Sequence, residues 1–575
     1  MKMINLTINN IPVSVPEGTT ILQAAKKIGV DIPSLCYLKD INCIGACRVC
    51  VVEIVGRRGL TASCTYPVEE GMKVLTNTPA VRASRKTTLE LILSTHNRKC
   101  LSCERSGKCE LQKLAADYGL DEDRFAVEEE LVPIDYSTPY VVRDNNKCIN
   151  CQRCISACKN VQAVGAIGNI RRGYDVHVGS PFEMGLGSTA CVGCGQCIVA
   201  CPVGALSEVS NIDKVWAAIS DPTKKVVFFT APSIAATLGE CFDMPVGTNV
   251  EGKMVTAIKM LGDVEAFNMN VTADLTIVEE ANELINRVKS DKPLPMFTSC
   301  CPGWIKYVEH FYPELLPNLS TCKSPQQMFG ALLKSYYCEK NGIDPKDLFV
   351  VSVIPCTAKK FEVEREEFHA DVDVALTTRE LAKMIKNASI NFNELPDSEF
   401  TDPFAIATGA GAIFGATGGV MEAALRTANN LLGGNNEAVV FSDVRGTTGI
   451  KEATYTINGT EVAVCVASGL ANAKKVIEMI KSGEKNYLFV EIMACPGGCI
   501  NGGGQPYQFD AVRNFVDLKA LRASVLYKSD DENGLRKSHE SPVVKALYDE
   551  YLGAPGAEKA HHLLHTKYTA RKKYN

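Results

Sequence analysis

Apolar and polar positions change their pattern along this chain, and two regions stand out. Close to the N terminus, residues 6–29 predict two short strands joined by a turn and then a helix that ends at Gly29. From about Ile212 onward, apolar strands alternate with helices and glycine-rich turns. This second pattern predicts an α/β domain with a site at the ends of its strands.

One predicted helix of the α/β region, residues 273–289, carries its charges on a defined face. Glu280, Glu283 and Arg287 stand at positions i, i+3 and i+7, so they share that face. Beside it runs an apolar stripe made of Ile277, Ala281, Leu284 and Val288. We expect the acidic face to be partly buried, which raises the pKa of carboxyl groups and suits them to proton transfer near neutrality. An exposed face with ordinary charge pairs is the alternative.

Composition narrows the class of protein. The chain has 575 residues, a net charge of −5 and no basic excess, so nucleic-acid binding is not expected. Its most apolar stretch, residues 226–238, is too short to span a membrane and contains Pro232. No apolar run follows the first residues, so we expect a cytoplasmic protein with reduced thiols. Its 25 cysteines therefore indicate metal ligation and not disulfides.

The first cysteine group lies on a loop of small residues after the predicted strands and helix, and consists of Cys36, Cys47, Cys50 and Cys64. This layout resembles a plant-type ferredoxin domain that holds a 2Fe–2S cluster. The long first gap resembles the N-terminal domain of the large iron–sulfur subunit of respiratory complex I. Zinc is the alternative metal, although the preceding strands disfavour it. Cys43 is an alternative ligand, but the spacing favours Cys36.

A second group combines one histidine with three cysteines, His96, Cys100, Cys103 and Cys109. These ligands suit either zinc or a 4Fe–4S cluster, and the residues alone leave both open. Their position directly after a ferredoxin-like domain resembles the large subunit of complex I, which implies a 4Fe–4S cluster. The acidic residues 118–137 that follow read as a linker, with a solvated face as the alternative.

The third group is a repeat of C-x2-C-x2-C-x3-C, typical of bacterial ferredoxins with two 4Fe–4S clusters. It comprises Cys148, Cys151, Cys154 and Cys158, then Cys191, Cys194, Cys197 and Cys201. The fourth cysteine of each run ligates the other cluster in this pattern. We therefore expect Cys201 to complete the first cubane and Cys158 to complete the second.

Three motifs in the α/β region are similar to those of the iron-only (FeFe) hydrogenases and stand in the same order: TSCCPGW at 298–304, PCTAKKFE at 355–362 and MACPGGCINGGG at 493–504. The resemblance covers nearly the whole chain. It implies a 4Fe–4S cubane held by Cys301, Cys356, Cys495 and Cys499. Cys499 also bridges to a two-iron subsite with carbon monoxide, cyanide and a dithiolate, which together form the H-cluster.

The same resemblance implies roles for residues around that cofactor. Lys359 donates to one cyanide, and Ser233, with Ala231 and Pro232, contacts the other. Gln326, Met493 and Phe414 line the pocket, and Ile354 stands where many relatives carry Met. Cys300 transfers protons, in a path that continues through Glu280, Ser320, Glu283 and Arg287.

Five units follow from these patterns, and the overall fold class is an α/β catalytic domain preceded by α+β ferredoxin-like iron–sulfur domains. The units are a 2Fe–2S domain (1–78), a 4Fe–4S domain with one histidine and three cysteines together with the acidic linker (79–137), a two-cluster ferredoxin domain (138–209), the catalytic domain (210–524) and a C-terminal wrapping segment (525–575). His561, His562 and His565 in that segment read as surface or wrapping residues. Each cysteine without a role, among them Cys43 and Cys322, reads as a buried small apolar residue.

The resemblance implies an enzyme that interconverts H2 with protons and electrons, the electrons passing through one 2Fe–2S and three accessory 4Fe–4S clusters. An H2 sensor or a non-catalytic electron-transfer subunit is the alternative. No G-x-G-x-x-G follows a strand, so flavin and NAD are not expected on this chain. Ferredoxin is the expected electron partner, alone or together with flavin- and NAD-binding iron–sulfur subunits of an electron-bifurcating complex. Maturation proteins would supply the two-iron subsite.

Overall fold

The N-terminal segment folds as a five-stranded sheet with one helix against it. The computed structural model describes residues 2–120, 124–125, 131–290, 292–432, 441–457 and 460–574, so part of the predicted acidic linker lies outside the described residues. In the order β2-β1-β5-β3-β4, the strands are β1 Met3–Ile8, β2 Ile11–Pro16, β3 Val51–Ile54, β4 Leu60–Ala62 and β5 Lys73–Leu75. Helix α1, Ile21–Lys27, begins with a capping box between Thr20 and Gln23. The predicted strand pair and helix are confirmed.

The next segment is small and loop-rich, and several of its cysteines belong to its hydrophobic cluster. Its helices are α2 Pro79–Ser94, α3 Glu110–Asp117, α4 Arg153–Ser156 and α5 Gln196–Ala200. Its strands form two antiparallel pairs, β6 Val142–Arg143 with β9 Leu206–Ser207, and β7 Gly168–Ile170 with β8 His177–Gly179. The two cysteine runs also have similar local structures. Helices α4 and α5 each follow a residue with a left-handed backbone conformation, Gln152 and Gly195 respectively.

The catalytic region is built on two four-stranded sheets. One is fully parallel, in the order β11-β10-β13-β14. The other has the order β12-β17-β16-β15, and only its edge pair β15/β16 is antiparallel. Their bounds are β10 Lys225–Thr230, β11 Val264–Asn268, β12 Met296–Phe297, β13 Leu348–Ile354, β14 Val374–Thr377, β15 Ile450–Ile457, β16 Thr460–Ser468 and β17 Phe489–Met493. Central strands read as continuous apolar runs because helices cover both faces.

Helices surround these sheets, and the predicted α/β fold class is confirmed. They are α6 Ile212–Ser220, α7 Pro232–Ala235, α8 Glu251–Lys259, α9 Asn270–Val288, α10 Pro302–Phe311, α11 Pro325–Leu332, α12 Cys338–Asn341, α13 Ala358–Glu362, α14 Thr378–Asn387, α15 Gly409–Ala412, α16 Gly419–Leu431, α17 Leu470–Lys481 and α18 Asp510–Arg513. Helix α9 packs against α11, α15 and α16, which buries Glu280, Glu283 and Arg287. The predicted apolar stripe beside them is not buried along its whole length, since Val288 at its end is 52% exposed.

The C-terminal segment crosses the catalytic region with helices α19 Leu518–Glu532, α20 Pro542–Leu547 and α21 Glu558–Leu564. Asp530 of α19 is fully buried and pairs with Arg426, Arg445 and Arg536. Ser538 donates a hydrogen bond to a carboxylate of α9. Within the described residues, no helix is both long enough and apolar enough to cross a membrane.

Candidate active site

A cavity of about 80 Å³ lies where strands of both sheets end. The loops after β10, β12, β13 and β17 all contribute to its wall, which matches the predicted site at the strand ends. Every predicted pocket residue lines it, namely Ala231, Pro232, Ser233, Gln326, Phe414 and Met493. Ile354, at the position that departs from many relatives, also lines the wall.

The four predicted ligands of the catalytic cubane converge on this cavity. Burial raises the pKa of Cys356 to about 12, and the charge of Cys301 adds to that shift. Burial likewise raises the pKa of Cys499, with further contributions from Cys301 and Cys356. Burial raises the pKa of Cys495, and the charges of the other three thiols raise it further. Soft thiolates gathered in this way suit iron–sulfur ligation, and a metal would remove the thiol protons.

Glycines allow the main chain to close around the thiols. Gly498 has φ +98°, and an added Cβ would lie 2.6 Å from the nitrogen of Thr417. At Gly502, an added Cβ would lie 2.2 Å from the carbonyl oxygen of Pro355. Only glycine fits these positions without a backbone shift, so the cradle is built for close backbone approach. Together with the four thiols, this fits a cubane with an attached subsite.

Two predicted hydrogen-bond donors, Ser233 and Lys359, line the cavity and differ in their hydrogen bonding. The Ser233 hydroxyl is buried and has no hydrogen-bond partner among the described residues, which fits a donor that awaits a bound group. Lys359 Nζ lies 2.8 Å from Glu362 Oε2. That carboxylate also accepts hydrogen bonds from Ser324 and Gln326. Glu362 therefore fixes the position of the Lys359 side chain inside the protein, a role that its position in the motif did not reveal.

Among the predicted proton-transfer residues, Cys300 lines the same cavity, and the other four, Glu280, Glu283, Arg287 and Ser320, are buried. Ser320 Oγ donates to Glu283 Oε2 at 3.0 Å, and Arg287 holds Glu283 Oε1 at 2.7 Å. Burial raises the pKa of Glu280 to about 8, and the charge of Glu283 adds to the shift. Burial raises the pKa of Cys300, and the nearby charge of Glu280 raises it further. Although burial alone would raise it, the Arg287 guanidinium lowers the pKa of Glu283 below its ordinary value.

Beyond Glu283, the network reaches the C-terminal segment, which sequence reasoning missed. The Thr321 main-chain N–H and hydroxyl both donate to Glu283 Oε2, and Cys322 Sγ lies 3.8 Å from the same oxygen. Thr321 Oγ1 is 2.8 Å from His565 Nδ1, and His565 Nε2 is 3.2 Å from Glu279 Oε2. His565 is therefore not a surface residue, since its side chain is only 6% exposed. The contact joins residues 244 positions apart in the chain, so no local pattern could show it.

The four predicted 2Fe–2S ligands lie in direct mutual contact. Hydrogen bonds from Cys47 and Cys64 lower the pKa of Cys36, and one from Cys64 lowers the pKa of Cys50 to about 7. Cys43 is exposed, and its Sγ donates to the Cys64 carbonyl at 3.0 Å. The expectation that Cys43 is a buried apolar residue is wrong.

His96 is oriented as a ligand would be. Its Nδ1 lies 3.0 Å from the Lys147 carbonyl, which makes Nδ1 the protonated nitrogen and leaves Nε2 with a free lone pair. Cys109 is buried, and Cys100 and Cys103 are half-buried. An added Cβ at Gly204 would lie 2.3 Å from Cys103 Sγ, so this ferredoxin-like loop closes over the predicted ligand group. Neither observation chooses between zinc and iron.

The two cysteine runs are interleaved. Cys148, Cys151, Cys154 and Cys201 line one small cavity. Burial raises the pKa of Cys158 to about 11, and the charge of Cys191 adds to it. The fourth cysteine of each run thus lies with the other run's ligands, as the repeat predicts.

The second run touches the catalytic loops. The pKa of Cys194 is raised by burial first and then by the charges of Cys197 and Cys495. An added Cβ on Gly195 would lie 2.4 Å from Thr357 Oγ1, and Thr357 donates to the carbonyl of Gly193 at 2.6 Å. The ferredoxin-like module therefore packs directly against the catalytic cysteine loops.

Family models match five stretches of the chain. They are, in chain order, the 2Fe–2S iron–sulfur cluster binding domain (1–79), the NADH-ubiquinone oxidoreductase-G iron–sulfur binding region (85–124), the 4Fe–4S dicluster domain (147–205), the C-terminal domain of the iron only hydrogenase large subunit (224–503) and the iron hydrogenase small subunit (516–571). These matches follow one another along the chain in the same order as the cysteine groups and the three motifs.

Two curated proteins are similar over their whole length. The NADP-reducing hydrogenase subunit HndD of Solidesulfovibrio fructosivorans is 46% identical and covers 100% of both chains. Iron hydrogenase 1 of Clostridium pasteurianum is 43% identical over 98% of this chain and 100% of its own. Among solved structures, an apo FeFe-hydrogenase HydA1 variant from Chlamydomonas reinhardtii has a TM-score of 0.57 and 41% identity, over 63% of this chain and 100% of that one.

Proposed function

The chain belongs to the iron-only hydrogenases with accessory iron–sulfur domains, and we propose that it reversibly combines two protons and two electrons into H2. One observation carries this proposal. Four thiols, the side chain of Lys359 and the thiol of Cys300 converge on one cavity whose walls include the loops after β10, β12, β13 and β17. Partial exclusion of water from such a cavity strengthens each charge interaction inside it.

We infer that the catalytic thiols, Cys301, Cys356, Cys495 and Cys499, would hold the H-cluster, and that Cys499 would also hold its two-iron subsite. When bound, this group supplies the redox chemistry that interconverts protons and H2. Lys359 and Ser233 present donors to its anionic ligands, since charge-assisted hydrogen bonds to such ligands are strong. Glu362 fixes the position of the Lys359 ammonium.

Electrons are proposed to travel through four accessory clusters. The 2Fe–2S cluster would be held by Cys36, Cys47, Cys50 and Cys64, and a 4Fe–4S cluster by His96, Cys100, Cys103 and Cys109. Two further cubanes would be held by the interleaved ferredoxin-like cysteines. The close packing of Gly195 on the catalytic loops supports the second of these as the last carrier before the active site.

Protons are proposed to move between the Arg287 end of α9 and Cys300. A carboxyl group with a pKa of about 8, as at Glu280, is largely protonated near neutrality and can donate a proton. Ser320 and the ionised Glu283 continue the hydrogen-bonded chain. Cys300 ends this path at the cavity wall, where its thiol would hold a proton beside the cofactor.

The electron partner is proposed to be ferredoxin, acting alone or beside flavin- and NAD-binding iron–sulfur subunits. Similarity over the full length to a protein named as a subunit of an NADP-reducing hydrogenase supports membership of such a complex. We also propose the division into five units, from the 2Fe–2S domain to the wrapping segment. Maturation proteins are proposed to deliver the two-iron subsite. Native purification tests the complex, since flavin-containing subunits that reduce NAD should copurify.

The function itself is tested with protein that has been matured with the two-iron subsite. Gas chromatography should detect H2 evolution from a reduced viologen dye, and H2 oxidation with the oxidised dye. Cys499→Ala, which removes the bridging thiol, should abolish both, whereas Cys465→Ala, a buried cysteine outside the cavity, should retain both. A fully loaded protein without turnover in either direction would favour H2 sensing over catalysis.

A further inference from the structure

A second cavity, of about 340 Å³, lies where the ferredoxin-like module, helix α10 and the C-terminal tail meet. Residues 137–140 and 187–189 form one wall. Lys306 and His310 of α10 form another, and residues 571–573 of the tail close the third side. The volume is about ten times that of a water molecule in the liquid, which is enough for a small organic or inorganic ion.

The walls of this cavity are cationic. Arg571, Lys572 and Lys573 line it together with Lys306, and none of the described lining residues is acidic. Arg571 is paired outside, with Glu309 at 2.7 Å, and Glu309 is shared with Arg365. The two tail lysines form no ion pair with any described residue. The cavity therefore presents positive charge from several sides.

Lys306 is the most confined of these cations. It is 7% exposed, and its Nζ donates to the Tyr140 hydroxyl at 2.9 Å. The ring of Phe361 lies 4.2 Å from the same ammonium. No carboxylate among the described residues pairs with it, although buried charges are ordinarily paired.

His310 supplies a second, independent sign of an absent partner. It is 8% exposed, and neither ring nitrogen forms a hydrogen bond with a described residue. Burial lowers its pKa to about 4, so the ring is neutral near pH 7 with one donor and one acceptor nitrogen. The nearby main chain of Lys572 raises the pKa of His310 in part, but it forms no hydrogen bond with the ring. Buried polar atoms without partners are rare in proteins.

We propose that this cavity binds a small oxyanion of the phosphate or phosphomonoester class between α10 and the C-terminal tail. The lysines and Arg571 offer charge-assisted hydrogen bonds from several directions, which is the arrangement that recognises such oxygens. The neutral ring of His310 adds one directional donor. The bound ion supplies the counter-charge that Lys306 lacks.

The position of the cavity couples it to electron transfer. Tyr140, which accepts from Lys306, donates to the Cys191 carbonyl at 3.2 Å, and Cys191 is a predicted ligand of the second ferredoxin-like cubane. Net charge and hydrogen bonding set the potentials of such clusters. A bound oxyanion therefore lowers the reduction potential of that cluster, because added negative charge favours the oxidised state.

Isothermal titration calorimetry on the cluster-loaded protein tests the binding. Inorganic phosphate and glycerol phosphate are titrated separately against a sodium chloride control of equal ionic strength. We expect saturable binding at one site, weakened at least about tenfold in the double variant Lys572→Ala, Lys573→Ala, because two charged donors are lost. Lys567→Ala, an exposed lysine of the same tail outside the cavity, should bind like the wild type.

Two further measurements separate a specific site from a general effect of charge. His310→Leu should also weaken binding, and phosphate should lower the midpoint potential of one accessory cluster in an EPR titration of the wild type but not of the double lysine variant. Tighter binding of glycerol phosphate would identify the ester as the ligand, and tighter binding of phosphate the free ion. The absence of saturable binding, or equal binding by the double variant, would overturn the proposal.

Discussion

Replacing Glu283 by glutamine should lower the pKa of Glu280 and thereby disable the proposed proton path. Both side chains are buried on α9 and are three residues apart, a spacing that puts their Cβ atoms about 5–6 Å from each other. Two unit charges about 6 Å apart interact by about 3 kcal/mol at an effective dielectric constant of about 20. That energy corresponds to about two pKa units.

The direction of this change follows from the charges that face Glu280. The pKa of about 8 comes first from burial and then from the charge of Glu283. Glutamine removes that charge but keeps the size and the acceptor oxygen, and it leaves the Arg287 guanidinium unneutralised. We therefore expect the pKa of Glu280 to fall from about 8 to about 6 or below. Near neutrality the group would then be mostly ionised and a poorer proton donor.

Infrared difference spectroscopy across a pH titration measures this directly, because a protonated carboxyl group has its own carbonyl stretch. Glu279→Gln is the matched control. This buried neighbour on α9 contacts Tyr548 and His565 instead, so its replacement should leave the titration of Glu280 in place. An unchanged midpoint in Glu283→Gln, or wild-type turnover in that variant, would refute the assigned coupling.

Three other outcomes are expected. Cys300→Ser should leave every cluster assembled and nearly abolish turnover, and wild-type rates would rule out the thiol as a proton carrier. Metal analysis of the loaded protein should give about twenty irons per chain and no zinc, and a stoichiometric zinc would overturn the iron assignment at His96. Asp530→Asn should destabilise the protein by about 3 kcal/mol, since it removes the buried carboxylate that Arg426 shares with Arg445 and Arg536. After the change, Arg426 retains among the described residues only Glu422, a carboxylate that it shares with Arg445. Thermal unfolding measures this loss against Asp531→Asn, an exposed neighbour, and equal midpoints would contradict it.

Spacing along the chain was enough to predict which cysteines lie together, because each cluster draws most of its ligands from one loop. The two ferredoxin-like runs are the clearest instance, since even the exchange of Cys158 and Cys201 follows from the repeat. The fold class was also predictable, because buried parallel strands leave continuous apolar runs. The strand ends then place Cys301, Cys356 and Cys495 around one cavity.

Contacts between distant segments were not predictable in this way. His565 reaches Thr321 and Glu279 only after the C-terminal segment has wrapped across α9, and the sequence alone identified it only as a surface or wrapping residue. Cys43 lies inside a ligand loop, yet its side chain is exposed. The orientation of a loop depends on the packing around it, which residue types in sequence do not specify.

The central claim is that the four catalytic thiols hold an H-cluster with a two-iron subsite. Infrared spectroscopy of the matured protein tests it most directly, because carbon monoxide and cyanide bound to iron absorb where proteins do not. We predict bands of both ligands, and their loss in Cys499→Ala with the accessory clusters still present. A matured wild-type protein with all of its accessory iron and none of these bands would contradict the account.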